Sequence, residues 1–532
     1  MTRVTSNDRR SRRPHVKIRK ARPAQSQEQQ CLVEQILDAG AAAAAAAQAA
    51  AAVSKAELTD AEIRTWRQDL EARLEQIQQH PEHNLGFLEE QIALAAREPL
   101  RLLAQRAAQA KANATPCQCR ECQTELVHQK YLARTIASRF GSLVVYRGYG
   151  WCPECELWHF PADQALGLGK NAPASPYVQE MAALLVSKMP PEQAVLVAER
   201  MGLPLSRCSL DREAHRQGLK AETARARSLA QLDTWEGLQH LTATAEGPPA
   251  PPFTLVIEID AWNIRERDDW GQTEKLRAQG QPVSRWHWVY VGTVFRLDHR
   301  AQTAGGRAMI SQRAYAVTRL GVEALLRQLY HQALACGLGQ AQEVLVIADG
   351  AVWIWNAVQD RFPDARQRLD LYHGDEHLWA VAHELYGPGT PEAREWVAPL
   401  LTQVRNDDSR GVIHSLKELQ PSLSQALQKK VQTQIEYFQN HENRMQYREI
   451  IRARKAVAQG KATAAQQIKA NEPLGSGAIE STCRQYQCRF KRTGQFWSTA
   501  GDEALMCLET FWRNGRWHEL YPHAKLTSPS LN

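Results

Sequence analysis

Apolar positions recur along this chain with two periods, and the chain changes character where the period changes. Ile63, Trp66, Leu70, Leu74 and Ile77 keep helical spacing behind a capping-box-like Thr59-Asp60-Ala61-Glu62, and His80-Pro81 closes that helix. A second helix is predicted from about Leu85 to Lys111 on Leu88, Ile92, Leu94, Leu102 and Leu103, with a packing or oligomerising role. Residues 176–232 read as helical again. The period then shortens. Phe253–Ile259 reads as a buried strand with Asp260 at its exit, Arg285–Leu297 as a long second strand, and residues 308–317 as a third. A helix follows on Val322, Leu325, Leu326, Leu329 and Leu334. Glu343–Ala348 is then a central strand closing on Asp349, with a helix through Asn356 and a strand over Gln367–His373. Residues 383–470 read as a mostly helical insertion, and a last helix begins behind Gly475-Ser476-Gly477. The order β-β-β-α-β-α-β, with acids ending the first and fourth strands, is that of an RNase H-like core.

Punctuation divides the chain further. The expected parts are a basic arm (1–30), a helical region with an alanine-rich linker (31–112) and a zinc ribbon (113–165). A helix-turn-helix-like region (170–246), the first part of the core (253–382), the insertion (383–470), the last core helix (471–521) and a tail (522–532) complete it. The fold class is thus multidomain α/β and α, with the Pro-rich Gly247–Pro252 separating the halves.

Apolar residues make up 43% and charged residues 23% of the chain, enough to bury real cores. No window has the apolar length of a membrane span, since Ala41–Val53 is short and nearly all alanine, and the N-terminus has no apolar signal core. The expectation is a cytoplasmic, nucleoid-associated protein without a membrane partner. The net charge of +7 is fully accounted for by residues 1–30, where nine basic residues face only Asp8 and Glu28. Such an arm either neutralises DNA phosphates or serves as a solvated tail.

Five of the cysteines fall between Cys117 and Cys155. Cys119-x2-Cys122 and Cys152-x2-Cys155, separated by 29 residues with a strand-prone Ser142–Tyr149, describe a zinc ribbon. The expected ligands are Cys119, Cys122, Cys152 and Cys155, with Cys117 as an alternative to Cys119. Further on, Pro191–Ala214 has the look of a helix-turn-helix: Gly202 permits the turn and Ser206 caps a second helix bearing Arg207, Arg212 and Arg216. Those arginines read DNA, or the pair is a plain helical hairpin.

Asp260 and Asp349 end topologically adjacent strands, so their carboxylates converge at one sheet edge. Hard divalent ions, magnesium or manganese, need clustered oxygen ligands of this kind. Glu480 is the expected third acid. Its helix continues through Arg484, Arg489, Lys491 and Arg492, a basic face suited to a DNA backbone. Glu258 shares the strand face of Asp260 and reads as a substitute ligand or, by preference, a solvated salt-bridge partner. Trp353, Trp355 and Trp497 read as core residues, with base stacking as the alternative.

Several blocks together resemble bacterial insertion-sequence transposases of the ISKra type, distant relatives of the Mutator-like group. They are the Cys152-x2-Cys155 pair before FPADQALGLG (160–169), EIDAWN (258–263), IADGAVWIWN (347–356), LDLYHGDEH (369–377) and GSGAIESTCRQYQCRFKRTGQFW (475–497). The resemblance covers roughly residues 85–521. It implies an RNase H-fold transposase with an Asp260, Asp349 and Glu480 triad. Asp370-x2-His373 matches the relatives' Asp-x2-His motif, which implies a supporting role for His373 near the active site. Ala261 departs from the glycine of many relatives. The implied activity is metal-dependent cleavage and transfer of double-stranded DNA at transposon ends, by a homo-oligomer. The alternatives are a non-catalytic DNA-binding regulator and an RNase H-like repair or junction nuclease. A zinc-protease reading of His373 and His377 fails, because Gly374 stands where that motif needs Glu.

Overall fold

The computed structural model describes residues 60–79, 84–203, 205–245, 252–302 and 308–522. The basic arm, the alanine run, Thr59 of the capping box, His80-Pro81, the break from Gly247 to Pro251 and the tail beyond Pro522 lie outside the described residues. Among the described residues, nineteen helices and ten strands form two compact units, one ending at Ser175 and one starting at Pro176. No helix among them is long and apolar enough to cross a membrane.

The first unit holds α1 (Asp60–Gln78), α2 (Leu85–Ala114), β1 (Val127–Ser138), β2 (Gly141–Cys152), β3 (Leu157–His159) and α3 (Pro161–Ala165). The Asn84 side chain caps α2 by accepting from the Phe87 amide. β1 and β2 pair antiparallel down to Ser138↔Gly141, and Gly141 takes the positive φ (123°) that closes the two-residue turn. Helix α2 lies along β2, where the buried Gln109 side chain bonds both the carbonyl and the amide of Tyr146. The second predicted helix is therefore a packing helix for the ribbon.

In the second unit α4 (Pro176–Lys188), α5 (Pro191–Arg200), α6 (Arg207–Ala230) and α7 (Trp235–Ala245) precede β4 (Thr254–Glu266) and α8 (Thr273–Ala278). Next come β5 (Arg285–Arg296), a small hairpin of β6 (Arg300–Gln302) and β7 (Ala308–Ile310), then β8 (Ala314–Thr318) and α9 (Val322–Ala335). β9 (Glu343–Ala348), α10 (Val352–Arg361) and β10 (Arg366–Leu369) complete the sheet. Its order is β10-β9-β4-β5-β8, with β8, β5 and β4 antiparallel and β4, β9 and β10 parallel. The expected third strand splits: residues 308–310 join the small hairpin, and only Ala314–Thr318 enters the sheet.

Six helices follow: α11 (Leu371–Tyr386), α12 (Pro391–Arg405), α13 (Ser409–Leu419), α14 (Gln425–His441), α15 (Arg448–Ala458) and α16 (Ala464–Ala470). They do not build a separate core. Val397, Leu400, Val431, Ile435 and Phe438 join Leu255, Ile257, Ile259 and Val346 in one cluster on one face of the sheet. The other face buries Val256, Phe295, Leu345 and Ile347, with Ala478 of α17 (Gly477–Phe490) packed against them. α18 (Thr499–Arg513) and α19 (Trp517–Leu520) end the unit.

Candidate metal centre and acid site

The two Cys-x2-Cys turns of the first unit share a geometry. Each second cysteine is followed by a residue with positive φ, Gln123 (62°) and Glu156 (53°), which turns the chain so that both thiols of a knuckle face inward. The β2–β3 pairing of Cys152 with Leu157 closes the second knuckle, and the β1–β2 ladder, which sets Val127 opposite Trp151, brings the two knuckles together. Sγ–Sγ separations are 3.7 Å for Cys119–Cys155, 3.4 Å for Cys122–Cys152 and 3.6 Å for Cys155–Cys122. A tetrahedron with zinc–sulfur bonds of about 2.3 Å has edges of about 3.8 Å, so the four thiols fit a zinc ion. Cys119, Cys122, Cys152 and Cys155 are the set whose ligand atoms all lie within 4.8 Å of one another. Cys117 stands outside that set. His159, which sequence reasoning missed, places Nε2 3.7 Å from the Cys119 sulfur, a position from which it can orient the thiolate.

The acids of the second unit sit at a break in the sheet. β4 was expected to end at Asp260, but its ladder with β5 runs on to Glu266↔Arg285. What ends is the other edge. The parallel ladder with β9 stops at Glu258↔Ile347, and Trp497 takes up that edge only from Arg265, through Trp497 N to Arg265 O and Arg267 N to Trp497 O. Asp260 therefore lies in a notch, with Asp349 one residue beyond the end of the neighbouring strand. The Asp260 carboxyl accepts from the Ala261 amide at 2.6 Å and faces the Cys483 sulfur at 3.4 Å. Burial, and then the charge of Asp349, push it above its ordinary range.

Asp349 is held from both sides. Its carboxylate accepts from the Ala351 amide, and its carbonyl accepts from the Tyr437 hydroxyl of α14 at 3.0 Å. Gly350, with φ 103°, has no room for a side chain, because a Cβ would stand 2.9 Å from the Tyr437 ring and 3.1 Å from His441 Nε2. The insertion thus braces the acid loop through residues the sequence did not mark. His377 continues the brace, stacked on Tyr437 at 3.6 Å and bonded to Gln434 at 2.6 Å.

Helix α17, which carries Glu480, is tied to the same strand ends by three carboxylates. Glu258 accepts from the Ile479 amide at 2.7 Å and is 1% exposed, so it caps the helix inside the core and is not the solvated salt-bridge partner expected. Burial raises its carboxyl to about 8. Asp370 accepts from Tyr372 N and His373 N with one oxygen and from Ser476 N with the other. It joins the start of α11 to the start of α17, so the strand expected through His373 ends instead at Leu369. Gly475 is required there, since a Cβ would meet both Asp370 oxygens at 2.9–3.0 Å. Glu472 pairs with Arg368 at 2.5 Å, Arg366 at 3.2 Å and Lys469 at 2.9 Å.

Glu480 itself is exposed, and its carboxyl is raised by burial, Asp370 and Asp260. Glu480 and Asp349 both act electrostatically on or with Asp260, yet the three carboxylates do not form a set as close as the four cysteines. His373 is half-buried, with Nδ1 3.4 Å from Glu376, and its charge reaches Asp260.

The expected DNA-facing residues divide. Arg484, Lys491 and Arg492 are exposed. Arg489 is a correction: it is 5% exposed, donates to the Val186 carbonyl at 2.7 and 3.1 Å, and lies over Trp497, so it is a packing residue out of a backbone's reach. In the helical hairpin, Gly202 takes φ 70° and Ser206 caps α6 as expected. Arg212 is exposed, while Arg207 pairs with Glu192 and Arg216 with buried Glu213. α6 crosses α18 closely enough that a Cβ on Gly218 would stand 2.6 Å from Ala504. Trp355 and Trp497 are buried, and Trp353 packs against the core.

A family model described as an uncharacterised protein family (UPF0236) matches residues 336–520, a stretch that includes Asp349, Asp370, His373 and Glu480 but neither Asp260 nor the four cysteines. No curated protein matches the chain.

Proposed function

We propose that this chain is a DNA transposase, an RNase H-like enzyme that binds transposon ends and cleaves and transfers DNA strands with divalent metal. One observation carries the reading: Asp260 lies just past the last pair of the β4–β9 ladder and Asp349 just past the end of β9, and Asp260 interacts electrostatically with both Asp349 and Glu480. The sheet order β10-β9-β4-β5-β8, three strands antiparallel and two parallel, supports the RNase H-like assignment. The donors are hard carboxylate oxygens, and the burial and the neighbouring Asp349 charge that raise the Asp260 carboxyl are both what a bound cation would offset. Asp260, Asp349 and Glu480 would hold magnesium or manganese, which supplies an activated nucleophile and a stabilised leaving oxygen in an in-line displacement.

The chain's own residues do the rest. Gly350 and Tyr437 fix the Asp349 loop, Asp370 and Glu258 fix the start of α17, and His373 supports the notch from α11. Zinc at the four cysteines would hold the ribbon folded, since metal binding in such a site is folding energy. Arg484, Lys491, Arg492 and Arg212 are the basic residues offered to double-stranded DNA, and the active form is a homo-oligomer.

The test is cleavage of DNA carrying the sequences that flank the gene, by the full chain with magnesium or manganese. Asp260→Asn and Asp349→Asn are expected to lower cleavage by roughly 10²-fold or more, with end binding retained. Cleavage that survives both substitutions, or that needs no divalent metal, overturns the reading.

A further inference from the structure

Beyond the notch, β4 and β5 run on as a pair, and one face of that pair is unusual. Asn263 is paired with Trp288 and Arg265 with Trp286. The two indoles are 53% and 60% exposed. Being two residues apart, they stand on the same face about 6.8 Å from each other. The Arg265 guanidinium lies 5.4 Å from the Trp286 ring, the Lys491 ammonium 5.8 Å from it, and Lys491 also donates to Asn263. Neither Arg265 nor Lys491 is ion-paired among the described residues; Arg265 donates to the Ser284 hydroxyl and also lies 4.8 Å from the Phe496 ring. Along the same face Tyr290 follows, and it meets Trp353, four residues past Asp349, edge to face at 5.3 Å. A stripe of aromatic rings thus leads from the exposed end of the hairpin to the start of α10, the helix that follows Asp349.

Single exposed apolar residues are ordinary, but a sheet face open to water is normally polar. The indoles here are interleaved with unpaired cations. A surface meant for a second copy of the chain would be depleted of lysine at its centre, and here Lys491 stands over the Trp286 ring. Indoles with cations between them suit a partner that carries flat rings and phosphates at once. A gap of about 6.8 Å also admits one base between two rings, twice the 3.4 Å rise of stacked bases.

We infer that this ledge holds unpaired bases of a DNA strand passing the acid notch, so that the strand is single or locally melted where it is cut. The inference rests on the proposed DNA-transposase reading, but its readout is binding and needs no cleavage. The bases stack on Trp286 and Trp288, and Arg265 and Lys491 meet the phosphates.

The experiment is fluorescence anisotropy with the full chain and a labelled 20-nucleotide single strand, against the same sequence as a duplex, without added divalent metal. Trp286→Ala with Trp288→Ala is expected to weaken single-strand binding about a hundredfold, about tenfold for each ring, and duplex binding far less. Trp286→Phe with Trp288→Phe should restore most of the loss, which a general surface effect would not. Thermal melting should be unchanged, because both side chains are exposed. Equal loss on both DNA forms, no loss, or no single-strand binding by the unsubstituted protein overturns the inference. So does a change in sedimentation of the alanine pair, which would make the face a contact between copies. Loss of cleavage in Asp260→Asn with intact ledge binding bears on the acid site alone.

Discussion

Replacing Glu472 with Gln should loosen α17 without touching the acids themselves. Glu472 ties the segment before α17 to β10, and its chief partner, Arg368, is 1% exposed. Burial pushes the Glu472 carboxyl up, but Arg368 and Arg366 together outweigh that and hold it at about 2. Removing one member of a buried pair costs about 3–5 kcal/mol, because the remaining charge is left without its counter-ion. Arg368 keeps the Pro473 carbonyl and Arg366 keeps Glu343, which places the expected cost near the lower end, about 3 kcal/mol. The pH dependence follows from the depressed carboxyl. Its contribution is fully present above the unfolded value of about 4.3 and is lost as pH falls toward about 2, roughly 3 kcal/mol over that window. Glu472→Gln should lack that slope, so the two stability curves should converge in acid. Hydrogen exchange of peptides covering Asn471–Phe490 in the full chain reads the opening energy directly. Adding Arg368→Met should recover part of the loss, since an apolar replacement of the whole pair is far less costly than half of it. A Glu472→Gln cost under about 1 kcal/mol, or parallel curves from pH 5 to 2, would show that the ion pair does not hold the helix.

Two further outcomes are expected. Cys152→Ser should remove one zinc per chain and unfold the ribbon, read by metal analysis and exchange of β1–β2 peptides; unchanged metal content would refute the four-cysteine site. Arg489→Ala should lower stability by about 1–3 kcal/mol while leaving the salt dependence of DNA binding unchanged, whereas Arg484→Ala should leave stability intact and make the salt slope shallower by about 1. The reverse pattern would return Arg489 to the DNA face.

Much of the second unit was legible because apolar runs of strand length alternate with helical spacing. Buried central strands such as Glu343–Ala348 have no other reading once their flanking polar residues are fixed. The cysteines were legible for a local reason: each Cys-x2-Cys turn presents two ligands by itself, and the hairpin between them closes the site. Harder to read were the carboxylates. In the sequence Glu258 looks like a ligand or a surface ion, Asp370 is marked only by its motif and Glu472 is not marked, but in the fold all three cap or clamp the start of α17. Which carboxylate caps and which remains open depends on where a helix more than a hundred residues away in sequence comes to rest. The brace on Asp349 is of the same kind, since nothing in the spacing of α14 marks Tyr437 over its helical neighbours. Arg489 was misread because a basic run on a helix suggests a solvated face, yet this side chain turns inward to the end of α4.

The central claim, that Asp260 and Asp349 with Glu480 form one divalent-metal site, is most directly tested by anomalous diffraction from crystals of the full chain soaked in manganese. The account predicts a manganese peak at the notch, within ligand distance of the Asp260 and Asp349 carboxylates and absent in Asp260→Asn, with the Glu480 carboxylate joining the set in the DNA complex. Manganese found only elsewhere, with the notch empty at saturating metal and DNA present, would contradict it.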